Sequence, residues 1–255
     1  MTIANTYRFF ISPKAIQGDI IQFDDADLAH QLMKVLRLRP GDRALFLDGE
    51  GNAYTVVLTE LQRTSVTARV EERTEASGEP LLHVTLYVAL LRAERFEFVL
   101  QKGTELGVSA FVPVQFARSL PADRADEHKL ARWRRIIREA AEQSCRGHLP
   151  LLGSPISFNT ACAQATSADL ALLLWEGKAA PLRAILRQDL AQQASSKRDN
   201  PQTIALLSGP EGGITTDELT IAAEHGMMRV SLGPRILRAE TAPLAAAVAL
   251  FYELE

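Results

Sequence analysis

Beyond residue 80 the chain alternates short, unbroken apolar runs with longer amphipathic stretches, and this alternation narrows the architecture more than any other feature. Residues 84–91, 110–114, 170–174, 203–207 and 228–232 read as strands, and residues 94–106, 127–145, 181–187, 216–224 and 240–252 as helices. A strand with no polar alternation must be covered on both faces, which helices packed on the two sides of a parallel sheet provide. The expectation is an α/β fold with a parallel sheet. The first 73 residues follow a different rule: β-like runs at 7–11, 20–23, 43–47, 54–58 and 66–70 are separated by turn residues. One helix interrupts them, with Asp25 or Asp27 as its cap and Leu28, Leu32, Val35 and Leu36 at helical spacing. That pattern suggests a small β-barrel. The polar stretch 74–80, holding Gly78 and Pro80, looks like a linker. The expected organisation is therefore a barrel over 1–73, a linker over 74–80 and an α/β domain over 81–255.

With 47% apolar and 23% charged residues, the chain can bury a core without a metal or a disulfide. Cys145 and Cys162 have no metal-ligand spacing, nor do the five histidines, so no metal is expected and the thiols read as reduced and cytoplasmic. Residues 1–20 lack a sustained apolar core, and the apolar stretch 239–254 is too short to span a bilayer, so no membrane association is expected. A net charge of −3 argues mildly against a polyanionic partner. The distribution is more telling: from Arg92 to Arg146, eleven basic residues face eight acidic ones. On the helix over 127–145, Lys129, Arg132, Arg135 and Arg138 lie away from the apolar stripe Leu130, Trp133, Ile137 and Ala141. Such a face is either a solvated surface or a grip for phosphates.

Glycine-bearing turns follow the later strands. Ser208-Gly-Pro-Glu-Gly-Gly213 lies between an apolar run and a helix start, where Thr215 and Glu218 have the spacing of a capping box. In an open α/β sheet, ligands bind beyond the C-terminal strand ends. The turn has neither the lysine of a P-loop nor GxGxxG spacing, which excludes both phosphate-loop types. Leu232-Gly-Pro-Arg-Ile-Leu-Arg238 puts Arg235 and Arg238, and then Glu240, at the mouth of an alanine-rich helix. Leu174-Trp-Glu-Gly177 ends an earlier strand. Singly, each reads equally as a tight connection or a solvated cap; together they would converge on one ligand site. Lys102 and Glu105, one helical turn apart, have the spacing of an ion pair.

Lys102-Gly-Thr-Glu-Leu-Gly107, Glu139-Ala-Ala-Glu-Gln-Ser-Cys-Arg146, Gly209-Pro-Glu-Gly-Gly213 and the run from Leu232 to Ala242 stand in this order, preceded by Tyr7-Arg-Phe-Phe10 and Val35-Leu-Arg37. Together they resemble the RsmE family, whose members methylate N3 of a uridine in 16S ribosomal RNA of the small ribosomal subunit. The resemblance implies a SPOUT methyltransferase domain with a C-terminal trefoil knot, a PUA-like RNA-binding barrel, S-adenosyl-L-methionine as cofactor, and a homodimer with the cofactor pocket at the subunit interface.

By the same resemblance, Leu174, Trp175 and Glu176 of the first turn are cofactor residues, although Trp175-Glu-Gly177 departs from the acidic pair frequent there. The second turn would contribute Leu207, Gly209, Pro210, Glu211, Gly212 and Gly213. The third would contribute Leu232, Gly233, Arg235, Ile236, Leu237, Thr241 and Ala242. Arg8, Arg37, Lys102, Arg118 and Arg146 are the expected RNA contacts. Uridine N3 carries a proton at neutral pH, so Arg238 is expected to stabilise charge developing on O2 or O4, while Glu240 takes the proton or orients Arg238. Two other readings compete: a SPOUT ribose 2′-O-methyltransferase, and a non-catalytic ribosome-assembly factor that binds RNA.

Overall fold

The computed structural model describes residues 7–119, 126–193 and 202–254. The chain divides into two compact units, one formed by Met1–Glu79 with Ala141–Leu149 and the other by Pro80–Ala140 with Pro150–Glu255.

The first unit holds β1 (Arg8–Phe10), β2 (Ile16–Gln17), β3 (Ile20–Asp24), α1 (Ala26–His30), β4 (Arg43–Leu47), β5 (Asn52–Leu61) and β6 (Ser65–Glu75). Asp25 is the helix cap, its carboxylate accepting from the N–H groups of Asp27 and Leu28 at 3.1 and 2.9 Å. After α1 the chain widens into a π turn over Gln31–Val35 and leaves through Arg37, whose φ of 57° is left-handed. The strands form one six-stranded sheet in the order β1-β4-β5-β6-β3-β2, antiparallel except between β1 and β4. Among the described residues β1 and β2 are its edges. Ile21, Phe46 and Leu58 of the sheet and Leu32 of the π turn are fully buried in one core, with Phe9 and Phe23 edge-on to Phe46.

Residues 141–149 belong to this unit through packing: Ala141 joins Phe10, Leu47 and Ala53 in one apolar cluster, and the Glu142 carboxylate accepts from the Phe10 N–H at 2.9 Å. Arg146 is only 3% exposed. Its Nη2 lies 2.7 Å from Glu79 Oε2, and Glu79 Oε1 also accepts from the N–H groups of Gly147 and His148 at 2.8 and 3.0 Å. Burial pushes the Glu79 carboxyl up, but the Arg146 guanidinium and the two amides outweigh it and hold it below its ordinary value. Arg146, one of the expected RNA contacts, is thus enclosed in the first unit beside Glu79.

The second unit holds β7 (His83–Ala89), α2 (Ala93–Leu106), β8 (Ala110–Gln115), most of α3 (Glu127–Gln143), β9 (Leu151–Leu152), β10 (Ile156–Ser157), α4 (Phe158–Ala165), β11 (Leu170–Leu174), β12 (Ala180–Pro181), α5 (Leu182–Gln193), β13 (Thr203–Ser208), α6 (Thr216–Glu224), β14 (Met228–Ser231) and α7 (Thr241–Leu254). Every pairing is parallel, in the order β10-β8-β7-β13-β11-β14-β12, with β9 beside β8. The apolar runs at β7, β11 and β13 are nearly continuously buried, as covering on both faces requires. Gly107 ends α2 in a left-handed conformation, and a Cβ there would meet Pro80 Cγ at 2.5 Å. α3 ends at Gln143, two residues short of the expected limit at Cys145, whose φ of 65° lies outside the helical region. The sequence reading missed α4: eight residues carry too few turns for a clear periodicity, although Phe158, Ala161, Cys162 and Ala165 form its buried stripe.

Candidate active site

Strands β13, β11 and β14 lie side by side in parallel, so the turns after Ser208, Leu174 and Ser231 emerge at one edge of the sheet. From β11 the chain passes to β13 on one side and, after α6, returns to β14 on the other. A reversal of this kind leaves a crevice beyond the strand ends. Here the crevice is a cavity of about 410 Å³, bounded by the three turns and by Arg95 of α2. Small-molecule sites run from about 300 to 1,000 Å³.

The second turn uses few of its backbone groups on itself. Among the described residues, the only backbone–backbone bond within 209–214 runs from the Gly213 N–H to the Pro210 carbonyl. At Gly209 a Cβ would stand 2.7 Å from Ile214 Cγ1, so the close approach of this turn to the head of α6 requires glycine. Gly233 has a φ of 112° and nothing within 4 Å of where a Cβ would sit. In the third turn the Arg238 carbonyl accepts from the N–H groups of Thr241 and Ala242, which starts α7.

The second turn is braced from outside the cavity. Arg118 Nη1 donates to the Gly212 carbonyl at 2.9 Å. The buried Glu218 carboxylate accepts from the Ala117 N–H at 2.7 Å and from the Thr215 N–H at 2.9 Å, completing the expected capping box of α6. Trp175 lines the cavity with its ring held between neighbours: the Arg229 guanidinium lies 5.5 Å from the ring centre, and a Cβ on Gly177 would come within 2.6 Å of the indole.

Charge concentrates at one end. Arg238 is 79% exposed, whereas Glu240 is 13% exposed. Glu240 Oε1 lies 3.9 Å from Arg95 Nε and 4.0 Å from Arg238 Nη1, while Oε2 is buried with no hydrogen-bond partner. A buried carboxylate oxygen without a donor is costly, and a catalytic role, local strain, or an ordered water or ion is what such an oxygen calls for. Arg95 Nη1 also donates to Glu211 Oε1 at 2.8 Å.

The family model described as RNA methyltransferase domain matches residues 77–251, and that described as RNA methyltransferase PUA domain matches residues 23–71. The chain belongs to the RsmE-type RNA methyltransferases. Ribosomal RNA small subunit methyltransferase E of Synechocystis is 38% identical across 94% of this chain and 75% of its own length. The Bacillus subtilis protein of that name is 32% identical, with 89% and 88% of the two chains covered. The crystal structure of ribosomal RNA small subunit methyltransferase E from Neisseria gonorrhoeae, bound to S-adenosylmethionine, superposes with a TM-score of 0.82 at 32% identity, covering 96% and 97% of the chains. A Legionella pneumophila methyltransferase in complex with the same cofactor also gives 0.82, at 28% identity and the same coverage. The fold is therefore that of the SPOUT methyltransferases with a PUA-like N-terminal domain.

In this methyltransferase the cavity takes in all the expected cofactor residues except Leu207, Gly212 and Thr241. Leu207 is buried inside the sheet, Gly212 is exposed beneath Arg118, and Thr241 is exposed at the first position of α7. Arg238 lines the cavity, and Glu240 adjoins it through Arg95 and Arg238. The expected RNA residues do not gather there: Arg8 is half-buried on β1, Arg37 is exposed, Lys102 is paired with Glu105 at 2.8 Å, and Arg118 holds Gly212. Arg95, Ser208, Ile214, Val230, Ser231 and Ala239 line the cavity without having been singled out as ligand residues. One signal marked Arg95. A cation in the first turn of a helix opposes the macrodipole and needs a compensating reason.

Proposed function

We propose that the chain binds S-adenosyl-L-methionine in the three-turn cavity and methylates N3 of a uridine in 16S ribosomal RNA of the small subunit. The residues fit the cofactor: the volume suits a nucleoside-sized ligand, the turns offer backbone groups of residues 209–213 and 232–237, and the pinned Trp175 ring supplies an apolar wall. Bound there, the cofactor would supply a methyl carbon made electrophilic by its sulfonium sulfur, which would leave as the neutral thioether. The chain's part concerns the proton. N3–H must be lost during attack, and Glu240, whose Oε2 lacks a hydrogen-bond partner and whose Oε1 neighbours the cavity arginines Arg95 and Arg238, would take it. Arg238, exposed at the rim, supplies positive charge for uracil O2 or O4. The observation that carries the reading is the orphaned Glu240 oxygen beside a cavity of cofactor size.

The first unit, with Arg8 and Arg37, would hold RNA by phosphate and shape. A homodimer fits the exposed apolar surface of the second unit. On α7, Ala245, Val248 and Tyr252 share one outward face, and Ile236 of the third turn is 84% exposed. A second copy seated there would complete the cavity, and the threaded C-terminal knot of the family belongs to the same proposal. No helix among the described residues is long and apolar enough to cross a membrane, and a cytoplasmic site of action accords with a ribosomal substrate.

The test is methyl transfer from labelled cofactor to small subunits and to naked 16S RNA, with the product mapped by nuclease digestion. Label on uracil N3 is expected; label on a ribose 2′ oxygen, or no cofactor binding at all, would overturn the proposal. The Glu240→Gln protein should bind cofactor within about threefold of the parent yet turn over about 100-fold or more slowly, the scale of a lost general base.

A further inference from the structure

We infer that Arg95 is a positioning residue for methyl transfer: it ties the cofactor turn to the carboxylate that receives the proton. The inference rests on the function proposed above. Arg95 occupies the first turn of α2, following β7, and so enters the cavity from outside the three glycine-bearing turns. Its guanidinium addresses two carboxylates from different turns, with Nη1 2.8 Å from Glu211 Oε1 and Nε 3.9 Å from Glu240 Oε1. A planar guanidinium can hold two partners at fixed angles, which an ammonium cannot.

The arrangement at Glu240 is asymmetric. Both neighbouring arginines approach Oε1, and Oε2 is left buried and unpartnered. The two arginines are not equivalent: the Arg238 side chain is 79% exposed, whereas that of Arg95 is anchored at its far end by Glu211. The less mobile cation is therefore the one that sets a fixed positive charge 3.9 Å from Oε1, biasing the carboxylate's orientation while Oε2 stays without a hydrogen-bond partner. Its helix position agrees with this role. An arginine in the first turn of α2 opposes the helix dipole, and Glu211 and Glu240 are the counter-charges that offset it. The two exposed-to-partly-exposed pairs add little to stability, so geometry is what they secure.

Orientation effects appear in turnover more than in ground-state binding. The experiment compares Arg95→Gln and Arg95→Lys with the parent, measuring cofactor Kd by calorimetry and kcat and KM with saturating small subunits. Circular dichroism melts check folding. Arg95→Gln should lower kcat by about tenfold or more with cofactor Kd changed by less than about threefold, and Arg95→Lys should recover part of kcat. In a double-mutant cycle, Arg95→Gln should add little to Glu240→Gln. If Arg95→Gln instead weakens cofactor binding and leaves kcat unchanged, Arg95 is only a clamp on the second turn and the inference falls. It falls equally if the Arg95 and Glu240 effects multiply independently. Absence of turnover in the parent protein would instead refute the proposed function, so the two failures are distinguishable.

Discussion

Replacing Glu79 by glutamine removes the negative charge opposite a guanidinium that is 3% exposed, while keeping the size of the side chain. Breaking a buried ion pair from one side typically costs about 3–5 kcal/mol, because the surviving buried charge has lost its counter-charge. Two features reduce that figure. The Glu79 side chain is one-fifth exposed at 21%, and a glutamine oxygen can still accept from the Gly147 and His148 amides. The expected loss is therefore about 2–3 kcal/mol, somewhat below the range for one-sided removal of a buried charge. For a unit of this size, that corresponds to a fall in Tm of roughly 10–20 °C.

The pH dependence has a definite sign. The folded-state carboxyl of Glu79 lies below its ordinary value, so its contribution is fully present above the unfolded pKa of about 4.3 and is lost as pH falls through the lower folded value. Parent and variant should differ by the full amount at pH 7 and at pH 5.5, and the gap should close only under stronger acid. Because two compact units need not melt together, calorimetry should be paired with hydrogen exchange of the β1 and β4 amides, which report on the first unit. A Glu79→Gln protein with unchanged Tm and exchange, but weakened affinity for small subunits, would show that Arg146 works on RNA and that its enclosure has been misread.

Gly233→Ala creates no collision, since nothing lies within 4 Å of the new Cβ, but it forces a φ of 112° on a residue that resists it. A strain of about 1–3 kcal/mol should appear mainly as weaker cofactor binding, about tenfold by calorimetry; an unchanged Kd would show that the third turn does not hold the ligand. The tryptophans offer a direct optical check. Trp175 lines the cavity, while Trp133 is buried 4.3 Å from the Phe96 ring. Cofactor should therefore change the emission of the parent but not of Trp175→Phe, and a change surviving in the variant would place the ligand elsewhere.

Much of the α/β unit was legible because its strands are uniformly apolar. Burial on both faces leaves a mark that needs no knowledge of neighbours, and the runs at Leu170–Leu174 and Thr203–Ser208 became adjacent parallel strands. The capping box of Thr215 and Glu218 was legible because it is local in the chain. The glycine turns announced a ligand crevice, and the family motifs named its ligand.

Contacts between distant segments were not legible. Arg146 sits in a family motif, and nothing in that motif marks its bond to Glu79, 67 residues earlier. Arg118 was read as an RNA contact and supports Gly212, 94 residues away. Arg95 reaches Glu211 across 116 residues and was not singled out at all. A side chain's spacing along its own helix or strand reveals which face it occupies, because backbone geometry repeats every few residues. What that face meets depends on how separate elements pack, and here the order of β13, β11 and β14 brings three remote turns, an arginine from α2 and an unpartnered carboxylate oxygen to one place.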